Sequence, residues 1–526
     1  MASPRPELKH GSELRGLVHA TRSSTTEGRF GRLFRWLPAA AFSEAALLAL
    51  ARTMIQQEFD ERRKNHEPLD TPLDAFEPED ENPTITAGYT YVGQFVDHDI
   101  TFDPVSSLDR QNDPDALTDF RTPRLDLDSV YGMGPDHQPY LYHADGRRLL
   151  VGSDKSFDGS GAHPDLPRNG GSPRRALIGD KRNDENLIVS QLHATFLRFH
   201  NAVVDRLEHA NVPASRLFDE AQRLVRWHYQ WAILHDFLPA IVGDDMARAV
   251  REGDHGRPDL RLFRPVREAF MPVEFSAAAY RFGHSMVRPS YSLNTVARQA
   301  TGGADVFHRI PIFSADAGPQ ANLNGFREIP DGWAVDWSFF FKGLPTPPGS
   351  DGLALPQPSY RMDTVLVDPL AALPEFAGGP ADRAILAFRN LLRGWRLGLP
   401  SGQSVARFLG MTPLPDDLLF EDRAGFEGVN RHQVYTAYRS EFTRQAPLWY
   451  YLLKEAELTR RHDVPDPEGG GHHLGAVGGR IVAEVLVGLV WHDRHSYLRA
   501  EERWKPELVG DTFSLADLIR VAATAH

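Results

Sequence analysis

The chain contains no cysteine in 526 residues. That removes disulfide scaffolds, thiolate zinc sites, iron–sulfur clusters, cysteine nucleophiles and a thiolate-ligated haem together. It leaves the redox compartment unread, because a chain without thiols survives on either side of a membrane. It also suits a protein that handles oxidants. Long apolar runs are missing as well. The longest, Ile481 to Trp491, is interrupted by Glu484 and falls well short of the ~20 residues that span a bilayer. It reads as a buried helix. The start, Met1-Ala2-Ser3-Pro4-Arg5-Pro6-Glu7, lacks the apolar core of a signal peptide. The expectation is a soluble protein, cytoplasmic or exported by a route without a classical signal. Basic charge is in deficit: 58 Lys and Arg against 71 Asp and Glu give −13. This argues against nucleic acid or an anionic membrane as the main partner. Oligomeric state is not legible.

Hydrophobic residues make up 41% and aromatics 10%, enough for a large core. The length suggests roughly two to four domains. Residues 1–80 read as an N-terminal extension, with one or two helices around Leu33 to Leu50 and a polar loop from Glu58 to Asn82; residues 81–526 read as one domain. Helical spacing runs through Leu187 to Leu207, Phe218 to Leu238, Phe275 to Val287, Ala381 to Leu397 and Ile481 to Val490. Gly-, Pro- and Asp-rich connectors lie at Asp154 to Pro173, Gly343 to Pro358 and Asp463 to Gly471. Alternating strand patterns are scarce. The fold class is mainly α, with long loops and few short strands.

Four segments carry chemistry. In Gln94-Phe95-Val96-Asp97-His98-Asp99, read as a helix, Gln94, Asp97 and His98 share one face and Asp99 points off it. In Thr122-Pro123-Arg124-Leu125-Asp126-Leu127-Asp128, alternate residues offer the carboxylate, hydroxyl and carbonyl oxygens that Ca²⁺ takes, and Asp99 could add one more. Read alone, the loop is more readily a solvated acidic turn. Arg182 and Glu185 stand at i, i+3 before a long helix, the spacing of a surface ion pair. His284 sits among small and apolar residues with Arg281 one turn before it. Such a histidine is commonly a core residue, but its small neighbours also leave room for a flat cofactor.

In order and spacing these segments resemble the animal-type haem peroxidase family of the peroxidase–cyclooxygenase superfamily, which includes myeloperoxidase and lactoperoxidase. The resemblance runs from about Thr84 to Leu498. The family motif Gly-Gln-x-x-Asp-His-Asp falls on Gly93 to Asp99. The resemblance implies His98 as distal base, Gln94 as its neighbour and Arg182 as distal arginine. It implies haem b, ester-linked through Asp97 and Glu185, with His284 as iron ligand and Arg281 beside a propionate. It implies Ca²⁺ held by Asp99, Thr122, the Arg124 carbonyl, Asp126 and Asp128. The implied reaction reduces H₂O₂ through an oxoferryl intermediate and oxidises small donors: phenols, iodide, bromide or thiocyanate.

The chain also departs from the family. Gln403 stands where an asparagine normally accepts the proximal histidine's N–H, which makes Gln403 the expected partner of His284. Asn186 replaces the methionine that makes a sulfonium link in myeloperoxidase, so strong chloride oxidation is not expected. Two other functions remain in view. A fatty-acid dioxygenase would place a tyrosine three residues before the proximal histidine. Here Arg281 holds that position, and a helix would turn Tyr280 about 100° from the iron-facing side. A non-enzymatic binding module would have lost His98, Arg182 or His284, and all three are present.

Overall fold

The computed structural model describes residues 28–55, 80–102, 118–119, 121–160, 163–253, 256–266, 269–297, 309–313, 321–347, 355–422, 430–459, 470–501 and 503–525. Most of the expected polar loop from Glu58 to Asn82, and parts of the last two connectors, lie outside the described residues.

Helices dominate, as the spacing predicts. The main ones are α1 (Glu44–Arg52), α2 (Ala87–Ile100), α3 (Leu187–His209), α4 (Leu217–Ala232), α5 (Leu386–Arg396), α6 (Leu448–Leu458), α7 (Ala476–His492) and α8 (Leu515–Ala522). Asn186 starts α3 by accepting the Ile188 N–H on its side chain. Ser514 and Asp517 close a reciprocal capping box on α8. The Ile481 to Val490 segment is the centre of α7, and every residue in it is buried. Each large aliphatic side chain so buried contributes about 1.5–3 kcal/mol. No helix among the described residues is long and apolar enough to cross a membrane.

Helix α3 is the axis of the assembly, packed against α2, α4 and α8. Helix α1 packs on α5, so residues 28–55 join the same hydrophobic core. The strands are short and form three small sheets. Strand β1 (Gly28–Gly31) lies between β3 (Thr118–Asp119) and β4 (Met271–Pro272), antiparallel to the first and parallel to the second. Strand β2 (Glu81–Thr86) pairs antiparallel with β7 (Pro358–Tyr360), directly ahead of α2. Strand β5 (Ser290–Ser292) pairs with β6 (Arg309–Pro311), Tyr291 opposite Ile310.

Three segments depart from simple helical expectation; in Ala381 to Leu397 a separate 3₁₀ turn, Ala381–Ala384, precedes α5. Phe275 to Val287 is not one α-helix. It breaks into a short turn of α-helix, Val273–Ser276, and a 3₁₀-helix, Ala279–His284. The Phe218 to Leu238 pattern is interrupted after α4 by a π-helical turn, Ile233–Phe237, which inserts a residue into the register.

Two histidines away from any cavity give the fold an acid limit. His200 bonds the Tyr131 hydroxyl and the Arg147 carbonyl at 3.0 and 2.7 Å. His228 donates to the Leu224 carbonyl at 2.7 Å and accepts the Glu507 N–H. Burial pushes each down to about 4. Because the folded value lies below the unfolded one of about 6.5, their contribution is complete above pH 6.5 and is lost as pH falls toward 4. Each is worth about 3 kcal/mol over that interval. Urea midpoints are expected to fall between pH 7 and 5. His228→Gln should be less stable at pH 7 yet lose less on acidification, and an unchanged slope would contradict this.

Candidate active site

Helix α2 forms one wall of a cavity of about 550 Å³. Gln94, Asp97 and His98 line it together, as their shared helical face predicts. Glu185 and Asn186 line it from the turn ahead of α3, and Tyr280 to His284 from the 3₁₀-helix. Gly325 explains how Glu185 is held. The backbone around Asn324 pairs with Asn186, the Gly325 N–H bonds the Glu185 carbonyl at 3.0 Å, and a Cβ at Gly325 would collide with the Asp184 carbonyl.

His98 is 4% exposed and held by a buried relay. Its Nδ1 donates to Asn183 Oδ1 at 2.8 Å, and Asn183 Nδ2 donates to His193 Nδ1 at 2.9 Å. Burial pushes His193 down to about 3, so it is neutral and can accept. This keeps a proton on Nδ1 and makes Nε2, on the cavity side, the nitrogen at which a proton is gained or lost. That nitrogen lies 3.4 Å from Glu185 Oε1. Neither Asn183 nor His193 stands out in the sequence. The available signal was position: Asn183 adjoins Arg182, and His193 lies two turns into α3.

Both acids stay ionised. Burial alone would raise the Asp97 carboxyl, but the charges of Arg281, His98 and Arg182 and the Thr101 hydroxyl hold it below its ordinary value. Arg281 reaches it at 3.2 Å. Glu185 is likewise held low against burial by His98, Arg182 and Gln94, whose amide donates to it at 2.6 Å. Glu375, also on the cavity wall, is raised by burial and by the Glu185 charge.

Arg182 stands one step away and makes no i, i+3 pair with Glu185. It bonds the Asp180 carboxylate at 2.8 Å and the carbonyls of His98 and Thr101 at 2.9 and 2.6 Å, with its guanidinium over Phe102. It thus braces the end of α2, and its charge reaches the cavity through Asp97 and Glu185. It lines an adjoining cavity of about 280 Å³, together with Arg281, Arg389, Arg393 and His284.

His284 lines both cavities. Burial pushes it down to about 3, so the ring is neutral. The expected partner is corrected here: Gln403 is not near it. Gln403 donates to Asp416 at 3.2 Å and accepts the Ala446 N–H at 2.8 Å, which pins the loop before α6. The amide of Asn390 on α5 meets His284 Nδ1 instead, at 2.7 Å. The Asn390 atom placed there is the amide nitrogen Nδ2; with the amide flipped so that its carbonyl accepts Nδ1–H, Nε2 would carry the lone pair that a metal takes. Asn390 lies one turn before Arg393, thirteen residues ahead of Gln403, within the periodic helical pattern of Ala381 to Leu397.

Tyr280 also departs from expectation. In the 3₁₀-helix it is not turned away but lines the same cavity, with its buried hydroxyl lacking a hydrogen-bond partner.

Behind α2, Asp99, Asp126 and Asp128 bring carboxylate oxygens within 4.8 Å of one another. Thr122 donates to Asp126 at 2.8 Å. Leu127 N–H and Ser129 Oγ each donate to Asp99 at 3.2 Å. Burial pushes all three acids up, with added repulsion from Asp126 and Asp128 at Asp99, from Asp126 at Asp128 and from Asp493 at Asp126; Asp128 rises to about 7. Such a cluster has the charge and oxygen chemistry of a hard-cation site. Arg124 donates its N–H to the Thr122 carbonyl at 2.7 Å.

Known proteins bear on this geometry. The animal haem peroxidase family model matches residues 106–329, a span that includes the acidic loop, Arg182, Glu185 and His284. The human protein "Probable oxidoreductase PXDNL" is 27% identical over 202 residues, 36% of this chain and 13% of that one. The chain therefore spans a small part of that relative's length. Peroxidase A from Dictyostelium discoideum superposes with a TM-score of 0.60 at 15% identity, covering 95% of this chain and 94% of the other. A fatty acid alpha-dioxygenase of Arabidopsis thaliana superposes with a TM-score of 0.53 at 13% identity, covering 93% and 75%. These superpositions speak for the fold. Over residues 106–329 the chain is thus similar to animal haem peroxidases, and over nearly its whole length it shares the fold of peroxidase A.

Proposed function

We propose that the protein binds haem between His98 and His284 and uses hydrogen peroxide to oxidise small donors. One observation carries this reading: a single cavity is lined by a histidine poised as a base and by a second, neutral histidine with its own amide partner. The residues fit the group. His284 would ligate the iron, Arg281 and the neighbouring arginines would meet its acidic edge, and Asp97 and Glu185 are the two carboxylates placed for ester links. Bound there, haem supplies the redox chemistry that peroxide drives.

The chain's own residues supply the proton handling. His98 Nε2 takes a proton from the incoming peroxide and returns it to the departing oxygen, as a general base and then a general acid. Asn183 and His193 keep that nitrogen free. Arg182 is always charged; it holds the end of α2 and supplies positive potential beside the cavity. Ca²⁺ at Asp99, Asp126 and Asp128, with Thr122 and the Arg124 carbonyl completing the shell, would fix the same helix from behind.

The donors are phenols, iodide, bromide and thiocyanate rather than chloride. Asn186 lines the cavity where a thioether link would need methionine, and its side chain is committed to capping α3. The test is reconstitution with haem, exposure to peroxide and acid-acetone extraction, followed by halide and phenol kinetics. A Soret band, haem that stays with the protein and slow chloride turnover are expected. Freely extractable haem after turnover would refute the ester links, and efficient chlorination at neutral pH would refute the donor order. Because Tyr280 lines the cavity, a long-chain fatty acid belongs in the same panel. Oxygen uptake with it, in place of peroxide-dependent turnover, would move the assignment to a dioxygenase.

A further inference from the structure

Three tyrosines, Tyr89, Tyr91 and Tyr280, line the main cavity, and their hydroxyls meet different surroundings. Tyr280 has no partner for its buried hydroxyl. Tyr91 pairs with the phenol of Tyr291, a poor proton acceptor. Tyr89 alone of the three donates to a carboxylate, Asp236 Oδ1, at 2.5 Å.

The pairing is built by the fold. Asp236 sits in the π-helical turn Ile233–Phe237, whose extra residue changes the register after α4. Its second oxygen accepts the Leu515 N–H at 2.8 Å, at the start of α8. The Tyr89 ring lies nearly parallel to Phe237, 12° between planes, and also meets Phe341 at 5.8 Å. Burial raises the Asp236 carboxyl above its ordinary value, which strengthens it as a base. Burial and the neighbouring Asp236 charge also keep the Tyr89 phenol protonated at rest.

A phenol that loses an electron becomes a strong acid, so its oxidation is favoured where a base is already hydrogen-bonded to it. We propose that Tyr89 and Asp236 form a second oxidation site, in which Tyr89 gives up one electron while its proton passes to Asp236. This rests on the haem peroxidase reading, because the oxidant is the haem after hydrogen peroxide has oxidised it. The Tyr89 O–H bond breaks and an O–H bond forms on Asp236 Oδ1. The electron reduces the oxidised haem by one equivalent. A phenolic or aromatic amine donor then returns an electron to Tyr89, Asp236 returns the proton, and the donor loses its own proton to water. Tyr89 stands nine residues before His98 on α2, about 14 Å along the helix axis. The oxidising equivalent is thereby moved along α2 to another part of the same cavity wall, where a phenolic or aromatic amine donor can meet it.

The experiment uses the full chain loaded with haem, mixed with one equivalent of H₂O₂ and frozen for electron paramagnetic resonance. Wild type should give a tyrosine radical whose hyperfine splitting collapses in protein grown on ring-deuterated tyrosine. A nitroso spin trap should leave its adduct on the peptide containing Tyr89. Tyr89→Phe should lose the adduct and at least tenfold of the radical yield per peroxide consumed. Asp236→Asn keeps the side-chain shape but not the base, and should lower the yield by a similar factor with Tyr89 intact. An undiminished radical in Tyr89→Phe overturns the proposal. So does a wild type whose Soret band responds to peroxide without any tyrosine radical. A chain with no Soret response to peroxide overturns the haem reading beneath it.

Discussion

His284→Ala should leave the chain unable to form the native haem spectrum, whereas His98→Ala should bind haem normally and cleave peroxide about two to four orders of magnitude more slowly. The asymmetry follows from the two amide partners. Asn390 meets His284 at Nδ1 from α5, and with its amide flipped to accept Nδ1–H the opposite nitrogen would be free for iron. Asn183 fixes His98 at Nδ1, but His98 Nε2 lies beside the ionised Glu185, where a proton can be held and released. In the smaller variant His284→Gly, added imidazole should restore part of the Soret band, because the missing side chain leaves room for it. The checks are the absorption spectrum, haem content and the rate of reaction with peroxide in a stopped-flow experiment. If the two variants exchanged phenotypes, the assignment of sides would be wrong.

Local pattern made much of this site readable. The i, i+3, i+4 spacing of Gln94, Asp97 and His98 put them on one wall. The next residue, Asp99, left that wall for Leu127 and Ser129, as its position on the helix requires. Helix α3 was equally plain, because seventeen of its residues are buried and its apolar steps are regular. What stayed hidden depends on contacts between residues far apart in sequence. Asn390 meets His284 across 106 positions, and no feature of either segment distinguishes Asn390 from Gln403 as the partner. Arg182 turned to Asp180 and to carbonyls at the end of α2, a choice set by how that helix packs. The 3₁₀ geometry of Ala279–His284 is a further case. Its apolar residues read equally well as an α-helix, and only its packing brings Tyr280 into the cavity. The π-helical turn that carries Asp236 to Tyr89 leaves no trace in the hydrophobic pattern, since one inserted residue is absorbed within a long apolar helix.

Removal of calcium should cost both stability and activity, and by the same route. Three carboxylates converge behind α2, and the buried Arg121 offsets only part of their charge through Asp128 at 3.2 Å. Burial raises all three, helped by Asp126 and Asp128 at Asp99, by Asp126 at Asp128 and by Asp493 at Asp126, so without a cation the cluster must take up protons or strain apart. A divalent ion removes that conflict. Bound at about a thousand times its dissociation constant, it would stabilise the fold by about 4 kcal/mol, which corresponds to roughly 4 °C in melting temperature for a chain of this size. Asp99 adjoins His98, so the ion also fixes the turn that presents the base. Treatment with EGTA should therefore lower the melting temperature and slow peroxide cleavage together, and added Ca²⁺ should restore both. Asp126→Asn keeps the shape of the loop but removes one charge, and should weaken calcium binding at least tenfold with a smaller loss of stability. The measurements are elemental analysis, thermal melts and peroxide kinetics on the same preparations. A wild-type protein that is metal-free by elemental analysis, yet melts at the same temperature with and without Ca²⁺ and keeps full activity, would remove the cation from the account and leave the three acids as a protonated cluster.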